Sequence, residues 1–357
     1  MGVKFIFLRC LAVHMFLVLI FQRPTVSKSF ISKAEDVTND SEMGEITDEG
    51  EREGIFAEYD EELSAGSAKD PFPYEHNSFL KTYRRTCGLK QNTRLKIVSG
   101  QEAEPHSWPW IVGLYRARLV RENKTIGVGI QPLPFCGASL ISSRYLITAS
   151  HCVRNLTRGA KVEPKHKWVR PEHYLSHSIV AKLGDHSTLY EEETSEENLV
   201  QEVMHFHEGP FLLDNDISII KLAKPITFNR GIQPVCIPPS TYELPAGAKC
   251  TAVGWGCTNK STRSGSPILR ENELTVMSLE VCRGFSQLVD DGQICAGGAH
   301  NTGGKGDSGG GLYCKLSPEN EQWYLFGVTS IGTPTPGPTV FASVPPLSNW
   351  INKNVDE

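Results

Sequence analysis

From Ile97 to the C-terminus the apolar residues come in short runs cut off by turn residues, and this texture limits the fold more than any other feature of the chain. Trp110-Ile111-Val112-Gly113-Leu114, Ser139-Leu140-Ile141, Tyr145-Leu146-Ile147-Thr148, Ile217-Ser218-Ile219-Ile220 and Leu325-Phe326-Gly327-Val328-Thr329 are short and rich in β-branched and aromatic residues. Runs of this kind suit strands. Many in series, with no helical period between them, predict an all-β barrel or sandwich. Only Leu347 to Lys353, with apolar residues three and four apart, reads as a helix.

The rest of the chain has a different character. Between Glu35 and Glu62 thirteen acidic residues face Arg52 alone, whereas Ile97 to Glu357 is nearly balanced, with 23 basic and 26 acidic residues. From Lys28 to about Thr86 there is little apolar periodicity, with Pro71-Phe72-Pro73 within, so residues 28–96 read as a flexible acidic prosegment. Residues 1–27 read as a cleaved secretory signal: Lys4 and Arg9, the apolar run Leu11 to Phe21, then the small residues Thr25-Val26-Ser27. After its removal no segment is apolar and long enough to span a bilayer, and a secreted, extracellular protein is expected. A net charge of -5 over 357 residues excludes a general nucleic-acid binder. The 39% hydrophobic content, with 32 Gly and 22 Pro, permits a sizeable, turn-rich core.

Removal of the signal takes Cys10 with it and leaves nine cysteines. In an oxidising compartment these predict disulfides, with one thiol left over. Sequons at Asn39, Asn123, Asn155 and Asn259 fit a glycoprotein on the same route.

Three segments carry chemistry when taken together: Thr148-Ala149-Ser150-His151-Cys152, Asp214-Asn215-Asp216-Ile217-Ser218 and Gly306-Asp307-Ser308-Gly309-Gly310. A serine hydroxyl is a poor nucleophile at its free pKa, so a neutral imidazole must take its proton and a buried carboxylate must hold that imidazole in one tautomer. Glycines around the serine let backbone N–H groups converge on a developing oxyanion. His151, Asp216 and Ser308 supply the parts needed for acyl transfer to water.

With Trp108-Pro109-Trp110, Gly254-Trp255-Gly256 and Cys295-Ala296-Gly297, the chain over 97–357 resembles the chymotrypsin/trypsin family of serine proteases. The resemblance implies two packed six-stranded antiparallel β-barrels with a short C-terminal helix and the active site between the barrels. His151 matches the general base, Asp216 its orienting carboxylate and Ser308 the nucleophile. The N–H groups of Gly306 and Ser308 match the oxyanion hole, and Ser330-Ile331-Gly332 matches the segment that pairs with substrate as an added strand. Cleavage after Lys96 by another protease would free an amine at Ile97 to pair with Asp307, making the uncut chain a zymogen. The same resemblance pairs Cys136 with Cys152, Cys250 with Cys314, Cys282 with Cys295, and Cys87 with Cys236, the last tethering the prosegment as a light chain. Cys257 is left over. Implied partners are a protein or peptide substrate, the activating protease and protein inhibitors. No cofactor or metal is required, although Asp185, Glu192 and Glu196 fall near a loop that binds calcium in some relatives.

Departures from the family cluster at the primary specificity pocket. Gly304 stands where members usually carry a cysteine, and the partner cysteine is missing from Thr333 to Pro338. Thr302 matches the pocket floor in place of a trypsin aspartate, Thr339 matches a wall position usually held by glycine, and Lys305 sits at the rim. These residues predict a shallow pocket for small or medium uncharged side chains. The Arg154–His177 stretch is long and carries Arg158, Lys161, Lys165, Lys167 and Arg170, a basic insertion that suits a solvated loop or an exosite for an acidic partner. The complete triad favours a secreted serine endopeptidase. The altered pocket keeps open a catalytically silent, protease-like binding module.

Overall fold

The computed structural model describes residues 86–90, 101–122, 125–154, 166–170, 179–206, 214–256, 265–286, 289–297, 307–332 and 337–355. Residues 1–85, Lys96, Ile97, the sequon residues Asn39, Asn123, Asn155 and Asn259, the basic residues Arg158, Lys161 and Lys165, and Cys257, Thr302, Gly304, Lys305 and Gly306 lie outside the described residues.

The first seven strands after the entry strand β1 (Gln101–Glu102) are β2 (Ile111–Glu122), β3 (Thr125–Ile130), β4 (Cys136–Leu140), β5 (Tyr145–Thr148), β6 (Ile179–Leu183), β7 (Glu196–Phe206) and β8 (Ile217–Leu222). Hydrogen bonds run in the order β2-β4-β5-β8-β7-β6 and return to β2, which closes a six-stranded barrel with β3 attached as a hairpin. The second half contributes β9 (Lys249–Gly254), β10 (Arg270–Met277), β11 (Gln293–Gly297), β12 (Gly311–Cys314), β13 (Tyr324–Gly332) and β14 (Thr339–Ser343). Their order β9-β10-β11-β14-β13-β12 also closes, and β1 crosses to pair with β10, placing Gln101 opposite Glu271. Closure removes the exposed edges that an open sheet would offer. Three short helices, α1 (Ser150–Val153), α2 (Leu279–Arg283) and α3 (Ser348–Asn354), complete the described elements.

The apolar runs lie in strands as expected, but their limits differ where small residues extend the pairing. The run at Ser139 lies at the end of β4, which begins at Cys136, because Gly137 and Ala138 let the strand pack closely. Ile141 instead closes a turn onto the Tyr145 carbonyl. β7 shows no strong apolar run, yet it is fixed by pairing with β6 on one side and β8 on the other. The C-terminal helix forms one residue later than the apolar spacing suggests, because Pro345–Leu347 first makes a 3-10 turn.

Where the barrels meet, Trp110 and Tyr313 are fully buried, and Trp108 and Trp110 lie edge to face at 5.7 Å. Tyr313 on β12 shares a 2.8 Å hydrogen bond with Ser139 on β4, a direct polar tie between the two barrels. Burial raises the Tyr313 hydroxyl above its ordinary range, so it remains protonated at every physiological pH.

Residues 86–90 are built into this body. The Cys87–Cys236 disulfide is flanked by backbone bonds from Gly88 N–H to the Pro234 carbonyl (2.8 Å) and from Trp323 N–H to the Gly88 carbonyl (2.8 Å). Gly88 sits at φ +69°, which favours glycine. Lys90 Nζ lies 3.7 Å over the Trp108 ring and 3.9 Å from Glu271, whose carboxylate also accepts Trp108 Nε1–H at 2.6 Å. Burial pulls the Lys90 ammonium down to about 8, so it is still mostly charged near neutrality.

Replacing Tyr313 by Phe leaves the buried Ser139 hydroxyl without that partner. The expected cost is about 1–3 kcal/mol in urea unfolding. The Tyr313→Phe, Ser139→Ala double variant should be little worse than either single change, because both remove the same bond.

Candidate active site

The Asp216 carboxylate is fully buried in the turn before β8 and takes three hydrogen bonds. The His151 backbone N–H donates to Oδ1 at 2.9 Å, and His151 Nδ1 donates to Oδ2 at 2.6 Å. Ser330 Oγ, from the second barrel, donates to Oδ2 at 2.7 Å. Burial pushes this carboxyl up, but the bonds from His151 and Ser330 outweigh it and hold Asp216 below the usual carboxylate range. An ionised acceptor at Nδ1 fixes the proton there, which leaves a lone pair on His151 Nε2.

Local structure explains the aim of each group. His151 lies in the single turn of α1, whose Cys152 is bonded to Cys136 of β4, so the imidazole is pinned to the barrel wall. Its side chain is about a third exposed, against full burial for its partner carboxylate. Ser330 occupies a bulge: Thr329 pairs with Phe341 and Ile331 with Val340, and the extra residue turns its hydroxyl towards Asp216. This role of the Ser330 side chain is not visible in a sequence reading that assigns the segment to substrate pairing. The bulge is the missing signal, since it depends on the register with β14.

Ser308 sits second in the turn Asp307-Ser308-Gly309-Gly310, closed by Gly310 N–H to the Asp307 carbonyl at 2.9 Å. Gly309 has φ +79°, and a Cβ there would collide with Thr148 Oγ1 and the Gly137 carbonyl. Both barrels grip this turn. Gly137 N–H of β4 donates to the Ser308 carbonyl at 2.8 Å, while Gly309 N–H donates to the Thr329 carbonyl of β13 at 2.9 Å. Thr148 Oγ1–H in turn bonds the Gly137 carbonyl at 2.8 Å. Of the expected oxyanion pair, Ser308 is in this turn and Gly306 lies outside the described residues.

The Asp307 side chain turns the other way. Its Oδ1 accepts Gly256 N–H at 3.0 Å, and a Cβ on Gly256 would overlap the carboxylate. Beside it is a small crevice walled by Ile111, Val112, Val253 and Trp255.

Of the specificity candidates, Thr339 is buried and pairs with Gly332 on one side and Ala296 on the other. Ser330, Ile331 and Gly332 follow one another along β13. The structure joins Cys87 to Cys236, Cys136 to Cys152, Cys250 to Cys314 and Cys282 to Cys295.

The carboxylates considered for calcium are engaged separately. Glu192 accepts the His186 and Ser187 N–H groups at 3.1 and 2.7 Å and faces His106 at 3.4 Å. Asp185 is bonded by Ser195 Oγ, and Glu196 accepts Thr227 N–H at 3.4 Å. Among the described residues the one group of metal-type ligand atoms in mutual reach is Cys136, His151 and Cys152, and both of those sulfurs are spent in a disulfide. Of the basic insertion, Arg170 pairs with Glu202 at 3.4 Å on the surface.

Two outcomes test this geometry. Gly309→Ala should lose at least about 1–3 kcal/mol in thermal unfolding, from the left-handed backbone alone, with the steric overlap adding to it. Asp216 binds a proton less readily in the native state than in the unfolded chain, so it stabilises the fold above its ordinary pKa of 3.8, and this part is lost as pH falls through the native value. Asp216→Asn should therefore be less stable at neutral pH and show a flatter loss of melting temperature below about pH 4 than the parent protein.

The Trypsin family description matches residues 97–351, well over half of the chain. Phenoloxidase-activating factor 3 of Holotrichia diomphalia is 29% identical over 283 residues, covering 76% of this chain and 75% of that protein. Since the family match runs unbroken through both barrels and into α3, the chain belongs to the trypsin family of serine proteases.

Proposed function

We propose that the protein is a secreted serine endopeptidase, made as a zymogen and activated by cleavage after Lys96. One observation carries the catalytic reading: a fully buried, ionised Asp216 that accepts His151 Nδ1–H at 2.6 Å. In the reaction Ser308 Oγ attacks the scissile carbonyl while His151 Nε2 takes its proton. The imidazolium, stabilised by Asp216, then gives that proton to the leaving amine, and water repeats the sequence on the acyl-enzyme. Apart from the substrate and water, these steps use groups of this chain alone.

Activation has a physical basis in the Asp307 crevice. Apolar side chains surround the Asp307 carboxylate, and the carboxylate suits the new amine of Ile97. A buried ion pair forms only when both partners exist, so the uncut chain should hold this region less firmly. Disulfides at eight cysteines support an oxidising, extracellular setting. The likeness to a phenoloxidase-activating factor supports a protein substrate. Buried Thr339, whose branched side chain stands where a glycine would leave space, supports a pocket for small uncharged side chains. A second reading, a protease-like binding module, is favoured by the loss of both pocket cysteines at Gly304 and between Thr333 and Pro338.

The chain cut after Lys96 should be labelled at Ser308 by a fluorophosphonate, with the uncut chain and Ser308→Ala unlabelled, and should cleave a peptide library after small uncharged residues. Absence of labelling after confirmed cleavage would establish the binding module, and cleavage after Lys or Arg would overturn the pocket assignment. Thr339→Gly should shift kcat/KM towards larger side chains by about 10–200-fold, the worth of one or two methylenes in such a pocket.

A further inference from the structure

A second polar chain lies beside the catalytic pair, formed by residues that the mechanism above does not use. Ser150 immediately precedes His151, and Ser218 follows Asp216 by two residues. His205 on β7 is opposite Ser218 in the strand register. Both hydroxyls are fully buried and the imidazole is nearly so.

Proton counting gives this chain a direction. Ser150 Oγ lies 2.7 Å from the Ile217 carbonyl, which can only accept, so the Ser150 proton goes there. Ser150 must then accept in its 2.8 Å contact with Ser218 Oγ, which commits the single Ser218 proton. In the remaining 2.7 Å contact between Ser218 Oγ and His205 Nδ1, the imidazole is therefore the donor. The sequence runs from His205 Nδ1–H to Ser218, to Ser150, to the carbonyl of the residue after Asp216. It ties the start of α1, which carries the base, to the strand that carries the carboxylate.

We propose that His205 is a positioning residue for the His151–Asp216 pair, acting through the Ser218 and Ser150 hydroxyls. This inference rests on the catalytic reading given above. Without a donor at His205, the Ser218 hydroxyl loses the bond that orients it and the Ser150 staple loses its defined direction. The α1 turn can then rotate against β8, and a small error in the direction of His151 is costly because proton transfer from Ser308 depends on its alignment.

The test compares His205→Leu, which removes the donor, with His205→Asn, whose side-chain amide nitrogen can take the place of Nδ1. Ser218→Ala breaks the same chain with a minimal change in volume and stands in if the leucine variant does not fold. All are cut after Lys96 and followed by the rate of fluorophosphonate labelling at Ser308 and by the low-field proton resonance of His151 Nδ1–H. His205→Leu and Ser218→Ala should each slow labelling by about tenfold and move the resonance, their double variant should be no slower than either, and His205→Asn should stay within about threefold of the parent protein. Equal labelling rates and an unmoved resonance in the leucine and alanine variants would overturn the proposal, as would an asparagine variant as slow as leucine. If the parent protein is not labelled at all, the catalytic reading fails separately. The resonance then decides alone: movement in Ser218→Ala supports positioning of the His151–Asp216 pair, and no movement overturns it.

Discussion

A carboxylate with no exposure to water must be supplied with donors by the protein, and the way Asp216 is supplied organises the whole molecule. Two of its bonds come from His151 on α1 of the first barrel and the third from Ser330 on β13 of the second. Leaving such a charge without its partners costs about 3–5 kcal/mol, so the barrels are not free to slide past one another at this point. The same bonds that keep the acid ionised fix the tautomer of His151. Stability and imidazole orientation are here one arrangement of three donors around two oxygens.

The Ser308 turn repeats the principle with backbone groups. β4 holds it through the Ser308 carbonyl and β13 through the Gly309 N–H, so the position of Ser308 depends on the distance between the barrels. The Tyr313–Ser139 bond, from β12 to β4, sits on the strands adjoining this turn and resists the same relative motion. Cys136–Cys152 then fixes α1 to the strand that holds Ser308. His151 and the Ser308 turn are thus mounted on one cross-linked wall.

Much of this was readable from residue order. The pairing of His151 with Asp216 is legible because each lies in a short stretch of particular residue types, and Tyr145–Thr148 is legible as a strand from its β-branched and aromatic residues. What escaped reading depends on register between distant strands. The Ser330 side chain turns to Asp216 because of a bulge opposite Phe341 and Val340, and nothing local to Ser330 announces it. His205, Ser218 and Ser150 meet only because β7 and β8 pair with those residues opposite one another and α1 folds onto them. The acidic loop at Asp185 was read for its oxygen atoms alone. In three dimensions its Glu192 serves backbone N–H groups and His106, a use that composition cannot separate from metal binding.

Glu271 extends the same logic to the proposed activation. Its carboxylate meets Lys90 and Trp108, while its backbone is opposite Gln101 in the β1–β10 register. The segments before and after the cleavage point at Lys96 are therefore anchored at one residue of β10. A cut between them leaves residues 86–90 held by the Cys87–Cys236 bond, the Gly88 backbone bonds and the Lys90 ammonium over Trp108. On the other side of Lys96, the first described pairing is that of Gln101 in β1 with Glu271. Under the proposed activation a single cleavage would therefore not release residues 86–90 from the body.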